Sequence, residues 1–173
     1  MIKYRVGNLI DAAKSSEINV IAHCTNCYHS MVHGIAPQLV KSFPGVLEAD
    51  LKTPMGSKSK LGTYSSWHDP DTGLEVFNLY AQHRGILKED GSLDVDYKSL
   101  QEALGRMNWH LKIGANMYHW ITGVNRHINI GMPKLGLKTT GGDWAYVAAL
   151  IENELEFDVY IYVDSEKDIP LGY

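Results

Sequence analysis

The sequence predicts a single α/β domain in which helices cover both faces of a mixed β-sheet. Short β-branched apolar runs alternate along the chain with segments whose apolar residues recur at helical spacing. One pair of β-rich runs is separated by a Pro-Asp-Thr-Gly turn, which indicates an antiparallel hairpin in an otherwise parallel sheet. The chain has no repeat, low-complexity linker or change of composition, so we expect one domain over residues 1–173.

The chain opens with an alternating strand at residues 2–6 and a turn at residues 7–11. Residues 18–22 form a β-branched apolar run, typical of a strand covered on both faces, and we expect it to end at His23. A polar loop follows. Apolar residues then recur at helical spacing until Pro44 ends the helix.

The later elements continue this alternation. Residues 45–52 predict a second short helix or turn, and the runs at residues 61–69 and 74–82 predict the hairpin. Residues 94–113 predict an amphipathic helix of roughly five turns. Glycines and aromatic residues favour a loop over residues 114–126. The last predicted elements are a strand at 127–132, a helix at 143–155 and a strand at 157–163.

Composition and charge argue against some functional classes for this chain. The chain is 45% hydrophobic and 21% charged, which is typical of a globular protein with a full core. No apolar run approaches the ~20 residues of a membrane span, and the first residues lack the apolar segment of a signal peptide. We therefore expect a cytoplasmic or nuclear protein without a membrane partner. The net charge of -4 argues against direct binding of duplex nucleic acid.

Polar side chains concentrate in the loop after the second strand. Residues 23–33 carry three histidines and two cysteines, together with Thr25, Asn26 and Ser30. Because this loop runs into a helix, its N–H groups lie where a phosphate or another anion is favoured. Residues 136–143 also follow a strand and precede a helix, and their glycines are typical of an anion-binding loop. Since ligands bind beyond the carboxyl ends of central parallel strands, we expect the two loops side by side.

Two smaller patterns have simpler interpretations. Cys24 and Cys27 form a C-x-x-C, which fits a redox pair or half of a zinc site. Buried reduced thiols are the better interpretation, because no second pair is present. The lysines at positions 52, 58 and 60 favour a solvated loop over a polyanion patch.

The acidic stretch at residues 89–96 lacks the ligand spacing of an EF-hand. Asp94 and Asp96 more simply begin the following helix, where acids suit the helix dipole. The eight histidines are scattered without carboxylates at ligand spacing, so we expect no metal site and no cofactor. No Gly-x-Gly-x-x-Gly follows a strand, which disfavours a dinucleotide-binding Rossmann fold.

Two segments carry a resemblance to a known family. IAHCTNC followed by HGIAPQLVKSFP, within residues 21–44, resembles the first ligand loop of macro domains. MPKLGLKTTGGDWAYVAALIENEL, residues 132–155, is similar to their second phosphate loop and the helix after it, and RVGNLID at residues 5–11 is a weaker likeness. The resemblance is closest to the branch that includes ADP-ribose 1''-phosphate phosphatases. It implies a three-layer α/β/α macro domain that binds ADP-ribose.

The resemblance also implies a set of ligand-binding residues. Asn8 matches a position that contacts the adenine, with a turn-forming role as the alternative. Asn26 matches an asparagine placed against the distal ribose, with capping of its own loop as the alternative. Tyr162 matches an aromatic residue stacked on the adenine, with Tyr160 as competitor and a core position as the alternative for both. The residues that match the diphosphate-binding backbone are Gly34, Ile35, Ala36, Gly136, Leu137, Lys138, Thr139, Thr140, Gly141 and Gly142.

The implied chemistry centres on phosphate. His23 matches the histidine that the phosphatase-like branch is thought to use on the terminal phosphate, and the alternative is a histidine hydrogen-bonded within the sheet. The further catalytic candidates are Asn26, His33 and Lys138, the last two as charge stabilisers. We therefore expect hydrolysis of ADP-ribose 1''-phosphate to ADP-ribose and phosphate. The alternatives are a non-catalytic ADP-ribose reader and a hydrolase that removes ADP-ribose from macromolecules.

The sequence also departs from the family pattern. Val32 and His33 precede a single Gly34, where the family commonly has consecutive glycines. Thr140 occupies the position of the aspartate in the branch that cleaves ADP-ribosyl esters with a lysine and an aspartate. The resemblance therefore argues against ester cleavage of that type.

Overall fold

A computed structural model describes residues 1–87, 93–135 and 143–172. The strands in this part of the chain are β1 (Ile2–Val6), β2 (Val20–Asn26), β3 (Tyr64–His68), β4 (Glu75–Leu87), β5 (Leu93–Val95), β6 (Asn129–Pro133) and β7 (Asp158–Val163). The helices are α1 (Leu9–Lys14), α2 (Ala36–Ser42), α3 (Gly45–Leu51), α4 (Tyr97–Thr122) and α5 (Trp144–Glu154), with 3-10 turns at Lys58–Lys60 and Glu166–Asp168.

One mixed sheet runs through the centre of the molecule. Its strand order is β1-β7-β6-β2-β4-β3, and β5 pairs with β4. The pairs from β1 to β4 are parallel, whereas β3 is antiparallel to β4 across the predicted hairpin. One apolar core lies against α4 and α5, and a second lies against α1, α2 and α3. Helices therefore cover both faces, which confirms the predicted three-layer α/β class.

Strand β2 serves both cores. Val20 and Ala22 belong to the core that contains α4 and α5, and Ile21 belongs to the other core. Because side chains alternate along a strand, His23 and Thr25 lie on the same side as Ile21. These two polar side chains are therefore directed to the layer of α1, α2 and α3.

The predicted end of the second strand at His23 is wrong. β2 continues to Asn26, because β4 runs beside it from the His23–Asn78 pair to the Asn26–Gln82 pair. A register shift between Thr25 and Asn26 marks where the ladder becomes irregular. Polar side chains did not end the strand, since the neighbouring strand supplies both the ladder and polar partners.

The predicted turn at residues 7–11 is instead the start of α1. Asn8 is the N-cap, and its Oδ1 accepts from the N–H of Ile10 at 2.8 Å and of Asp11 at 3.2 Å. This cap satisfies two of the donors that a helix start leaves unpaired. A helix of six residues is too short to show clear periodicity in the sequence.

The predicted loop over residues 114–126 is also wrong. α4 continues to Thr122 and ends at Gly123, which has a left-handed φ of 73° and donates its N–H to the carbonyl of His119 at 2.7 Å. A glycine inside a helix costs only about 1 kcal/mol, so Gly114 does not end it. Of the helices in the described residues, none combines the length and apolar character needed to cross a membrane.

Aspartates begin two of the helices. Asp96 caps α4 and Asp143 caps α5, and each accepts hydrogen bonds from backbone N–H groups of the first turn. The prediction that Asp96 lies at this helix start is confirmed. Asp94 lies in β5 instead, so its predicted place in the helix turn is wrong. The β5 pairing with β4 holds this segment in a strand until the cap.

Lys60 contradicts the interpretation of its segment as a solvated loop. Lys52 and Lys58 are exposed, but Lys60 is only 3% exposed. Its Nζ lies 3.4 Å from Asp50 Oδ1 and 4.3 Å from the centre of the Tyr80 ring. A carboxylate and an aromatic face compensate this ammonium for its loss of water.

Candidate functional site

The carboxyl ends of β1, β7, β6 and β2 lie side by side, and we call this the carboxyl edge of the sheet. Three helices begin there: α1 after β1, α2 after the loop that follows β2, and α5 after the segment that follows β6. Since β6 pairs with β2, the two predicted anion-binding loops leave from adjacent strands. This edge is where parallel α/β sheets bind ligands.

The second predicted loop lies outside the described residues. The candidates on it are Gly136, Leu137, Lys138, Thr139, Thr140, Gly141 and Gly142. The residues that flank this loop are described. Leu135 is buried in the core against α5, and Asp143 Oδ1 accepts from the N–H of Ala145 at 2.9 Å. Both ends of the loop therefore belong to the carboxyl edge.

The first loop, which runs from the end of β2 at Asn26 to the start of α2 at Ala36, presents backbone donors where α2 begins. Gly34 is exposed and has a left-handed φ of 60°. The N–H of Ala36 donates to the carbonyl of His33 at 3.2 Å, whereas the N–H groups of Gly34 and Ile35 donate to no residue that the structure describes. The Ile35 side chain packs against the core formed with α1. Within the described residues, these two backbone donors at the helix start have no partner and suit an anion.

Asn26 holds the first loop in shape. Its Oδ1 accepts from the N–H of Tyr28 at 2.9 Å and of Ser30 at 3.3 Å, and its Nδ2 donates to the carbonyl of Ser30 at 2.8 Å. Gly85 permits this arrangement, because a Cβ there would lie 2.6 Å from Asn26 Nδ2. The Asn26 amide thus caps its own loop, and a contact with a ribose stays a prediction.

A buried polar cluster lies on the same side of the sheet as α3. We call it the Asp50 cluster, and its members are Asp50, Thr53, Lys60 and Tyr80. The Asp50 side chain is fully buried, and its Oδ1 accepts from Tyr80 Oη at 2.6 Å. Burial, together with this carboxylate, raises the pKa of Tyr80, so its hydroxyl remains a donor at neutral pH. Lys60 supplies the compensating positive charge.

The first loop is attached to the Asp50 cluster at two points. Lys60 Nζ donates to the carbonyl of Cys27 at 3.3 Å. His29, which has a left-handed φ of 60°, places its Nε2 3.2 Å from Thr53 Oγ1. Buried charge and hydrogen bonds therefore set the path of the loop before it reaches α2.

His23 is buried beside this cluster rather than at the edge. Its ring is 1% exposed, and its Nε2 lies 2.7 Å from Asn78 Oδ1. Asn78 Nδ2 donates to the carbonyl of Val46 and to Ser65 Oγ, each at 3.0 Å, which sets the orientation of the amide. His23 Nε2 must therefore carry the hydrogen. Burial lowers the pKa of His23, so the ring is neutral at pH 7.

The two histidines proposed for catalysis thus occupy different environments. His23 lies within β2, and its predicted place at the end of a strand, facing a pocket, is wrong because β2 extends three residues further. His33 is exposed in the first loop next to Gly34, whose N–H donates to no described residue. Val32, its neighbour, is 66% exposed. The catalytic roles of both histidines remain predictions.

Asn8 lies at the carboxyl edge next to the end of β7. The N–H of Gly7 donates to the carbonyl of Val163 at 3.1 Å, which ties the two strand ends together. Asn8 itself is exposed and uses its Oδ1 to cap α1. A contact of its Nδ2 with adenine is compatible with this cap and stays a prediction.

Tyr162 is a core residue in this structure. It is 8% exposed, and its hydroxyl donates to Glu17 Oε1 at 3.0 Å. Burial and the Glu17 carboxylate raise the pKa of Tyr162. Tyr160 is partly buried, and the cationic groups of Lys3 and Arg5 lie 5.4 Å and 5.2 Å from its ring centre. Neither ring stands free at the carboxyl edge for stacking.

The cysteines have the properties of buried thiols. Both are unpaired; Cys27 is buried, as predicted, and Cys24 is partly buried. Burial raises the pKa of Cys24 to about 12 and also raises that of Cys27. A redox-active pair requires a lowered thiol pKa, so this environment disfavours that interpretation. Within the described residues no group of three or more His, Cys, Asp or Glu side chains could hold a metal ion.

Sequence reasoning missed the Asp50 cluster, although a signal was present. Asn78, Tyr80 and Gln82 alternate with apolar residues along β4 and are all buried. A polar residue at every second position of a buried strand indicates that one face meets other polar groups. The partners Asp50 and Lys60 come from segments that look exposed in the sequence.

This strand order, with helix starts gathered at the carboxyl edge, is the macrodomain fold. Similar solved structures include the macrodomain of Thermus aquaticus DarG, with a TM-score of 0.66 and 19% identity over 94% of this chain and 98% of that one. The macrodomain of Mycobacterium tuberculosis DarG has a TM-score of 0.66 and 18% identity, over 95% and 99% of the two chains. Thermosipho africanus DarTG in complex with ADP-ribose has a TM-score of 0.62 and 17% identity, over 98% of this chain and 43% of that one.

The sequence has a relative in a phage. It is 31% identical over 155 residues to the uncharacterized 17.5 kDa protein in the tk-vs intergenic region of Enterobacteria phage T4, and the match covers 88% of each chain. The chain belongs to the same family as this phage protein. No protein-family profile matches the sequence.

Proposed function

We propose that this protein binds ADP-ribose at the carboxyl edge. The observation that carries the proposal is the start of α2, where the N–H groups of Gly34 and Ile35 donate to no described residue. Such donors at a helix start suit a diphosphate. The similar DarTG structure, which contains ADP-ribose, supports the same ligand class.

Each segment of the carboxyl edge would then contact one part of the ligand. Asn8 is the candidate for the adenine, since it is exposed beside the joined ends of β1 and β7. The first loop and residues 136–142 are the candidates for the diphosphate. Asn26, at the end of β2, is the candidate for the distal ribose. Because β2 and β6 are adjacent, one extended ligand can contact both loops.

We further propose ADP-ribose 1''-phosphate as a substrate, as the sequence resemblance implies. Attack of water on phosphorus would break its bond to O1'' of the ribose and yield ADP-ribose and phosphate. Among the described catalytic candidates, His33 is exposed, and it adjoins Gly34, whose N–H donates to no described residue. When protonated, it would neutralise charge on the transferred phosphoryl group. His23 would act from its buried site beside Asn78.

Binding and activity measurements test the proposal. Calorimetric titration should rank ADP-ribose above AMP and NAD, and a thermal shift with ADP-ribose should follow because the ligand binds only the folded state. The absence of binding at millimolar ADP-ribose would refute the proposed function. Phosphate release from ADP-ribose 1''-phosphate then separates the phosphatase from a non-catalytic reader. Release of ADP-ribose from modified protein or nucleic acid would instead identify the third alternative.

A further inference from the structure

Helix α4 extends beyond the core that supports it. Leu111 is its last buried residue, Ala115 is half-buried, and residues 116–125 are all exposed. Five exposed large apolar side chains of α4 form a set that we call the overhang stripe: Trp109, Ile113, Met117, Trp120 and Ile121. Their exposed fractions range from 38% for Ile113 to 86% for Trp120.

The overhang stripe lies on one side of the helix. At 3.6 residues per turn, its members fall within about one third of the circumference. Leu100, Leu104 and Leu111, which anchor α4 to the core, fall on the other side. The stripe is therefore a continuous apolar surface and not a set of scattered side chains.

The sequence specifies this overhang as helix. Gly123 provides a left-handed C-cap, and Thr122 Oγ1 donates to the carbonyl of Tyr118 at 2.7 Å. Residues 113–125 contain no Asp, Glu, Lys or Arg. Two exposed turns without ion pairs have little helical stability of their own, because most helices depend on packing of their apolar face. A packing partner for the stripe would supply the stabilising apolar contacts that the rest of the described chain does not provide.

The size and shape of the stripe fit a second copy of this chain. Its side chains expose on the order of 700 Å², taking about 150–250 Å² for each large side chain, and a standard interface buries about 800 Å² per partner. An antiparallel pair of α4 helices with a two-fold axis at Met117 brings Ile113 opposite Ile121. It also brings Trp120 opposite Gly114, where a Cβ would meet nothing within 4 Å and an indole ring has room.

We propose that the protein forms a two-fold dimer through the overhang stripe. A two-fold interface brings the same patch of both subunits together, and an uncharged patch can face its own copy without charge repulsion. A membrane surface fits less well, because the one lysine within the span of the stripe, Lys112, is paired with Glu156 at 2.7 Å and the chain has a net charge of -4. The pairing rests on packing of Met, Ile and Trp side chains alone.

The interface leaves the carboxyl edge open. Tyr118 and Val124 line a groove of about 300 Å³ together with Asn19 and Gly73, which precede β2 and β4. The overhang therefore lies at the amino ends of the strands, opposite the proposed ADP-ribose site. Dimer formation and ADP-ribose binding should be independent of each other.

Light scattering and sedimentation of the intact chain, from low micromolar to several hundred micromolar, test the dimer. The wild type should show the mass of two chains at high concentration. Trp120→Glu should show one chain, because the dimer would bury two unpaired carboxylates. Gly114→Leu should also show one chain, because the leucine fills the space for Trp120. Since leucine favours a helix more than glycine does, the monomer should stay as stable as the wild type. Leu171→Glu, fully exposed outside the stripe, is the matched control and should remain dimeric.

A wild type that stays monomeric at the highest concentration would overturn the proposal. So would a dimer that persists in both stripe variants. Monomeric wild type that binds phosphatidylcholine vesicles, with binding lost in Trp120→Glu, would assign the stripe to lipid instead. Circular dichroism of both variants checks folding, and Gly114→Leu keeps the test decisive if Trp120→Glu unfolds. Calorimetry with ADP-ribose should give the same affinity for wild type and variants.

Discussion

The Nε2 of His23 donates to Asn78 Oδ1 across the adjacent strands β2 and β4, at 2.7 Å. Asn78 in turn donates to the carbonyl of Val46 in α3 and to Ser65 in β3. The pair therefore connects three strands and a helix below the first loop.

Replacing His23 by alanine should lower the free energy of unfolding by about 2–4 kcal/mol, because it leaves Asn78 Oδ1 without a donor and opens a cavity. Urea unfolding at pH 7 measures the change. His68→Ala, at an exposed position of β3, is the control and should be nearly neutral in stability.

If His23 also acts in catalysis, phosphate release by folded His23→Ala should fall by about 100-fold or more, while ADP-ribose affinity changes far less. Unchanged stability would contradict the buried hydrogen bond.

The lowered pKa of His23 predicts a specific pH dependence. The unfolded chain binds a proton at this ring near pH 6.5, whereas the folded chain resists it until lower pH. The contribution of His23 is therefore complete above about pH 6.5 and is lost as the pH falls toward the lowered folded value. His23→Gln cannot take up this proton, so its unfolding free energy should fall less between pH 7 and pH 5 than that of the wild type. Equal falls in the two proteins would remove His23 as the source.

Removing one partner of the buried Asp50–Lys60 pair should be costly. Lys60→Met leaves the fully buried Asp50 carboxylate uncompensated and should destabilise the protein by about 3–5 kcal/mol. The double variant Lys60→Met with Asp50→Asn should be less destabilised than the sum of the single changes. Lys112→Met breaks the pair with Glu156 at 2.7 Å, where both side chains are about half exposed, and should have little effect. Simple additivity in the double variant would show that the buried charges are not coupled.

Gly34→Val tests the first loop as the diphosphate site. A β-branched residue at the left-handed φ of 60° costs roughly 1–2 kcal/mol and crowds the N–H groups of Gly34 and Ile35. Gly73→Val is a matched control, since its φ is 75° and, like Gly34, it has no atom within 4 Å of an added Cβ. Both variants should lose similar stability, but only Gly34→Val should lose ADP-ribose affinity, by about 10-fold or more. Equal affinities in calorimetry would place the diphosphate elsewhere.

Much of the fold could be predicted because its signals are local. The apolar runs of β2 and β7, the Asp96 and Asp143 caps and the hairpin turn each follow from a few neighbouring residues. Prediction failed where a distant partner decides the outcome. β2 passes through His23 because Asn78 accepts its hydrogen bond. The loop predicted over residues 114–126 failed for a local reason instead, because a single glycine such as Gly114 does not end a helix.

The site shows the same division. The first loop and the adjacency of the two strands that precede the predicted loops could be predicted, since a strand, a polar segment and a helix follow in order at both places. That the two loops meet stays a prediction, because residues 136–142 lie outside the described residues. The environment of single side chains could not be predicted. Tyr162 is directed into the core toward Glu17, and Asn26 is held by the backbone of its own loop.

By itself, the sequence determined the α/β class, the strand–loop–helix units and the position of the first loop, because short-range periodicity and capping specify these features. Only the tertiary structure decided that Lys60 is buried beside Asp50, that His23 is a neutral interior ring and that the end of α4 projects from the core. The physical reason is burial. Whether a polar side chain stays hydrated, stays charged and remains accessible to a ligand depends on which distant segments pack over it.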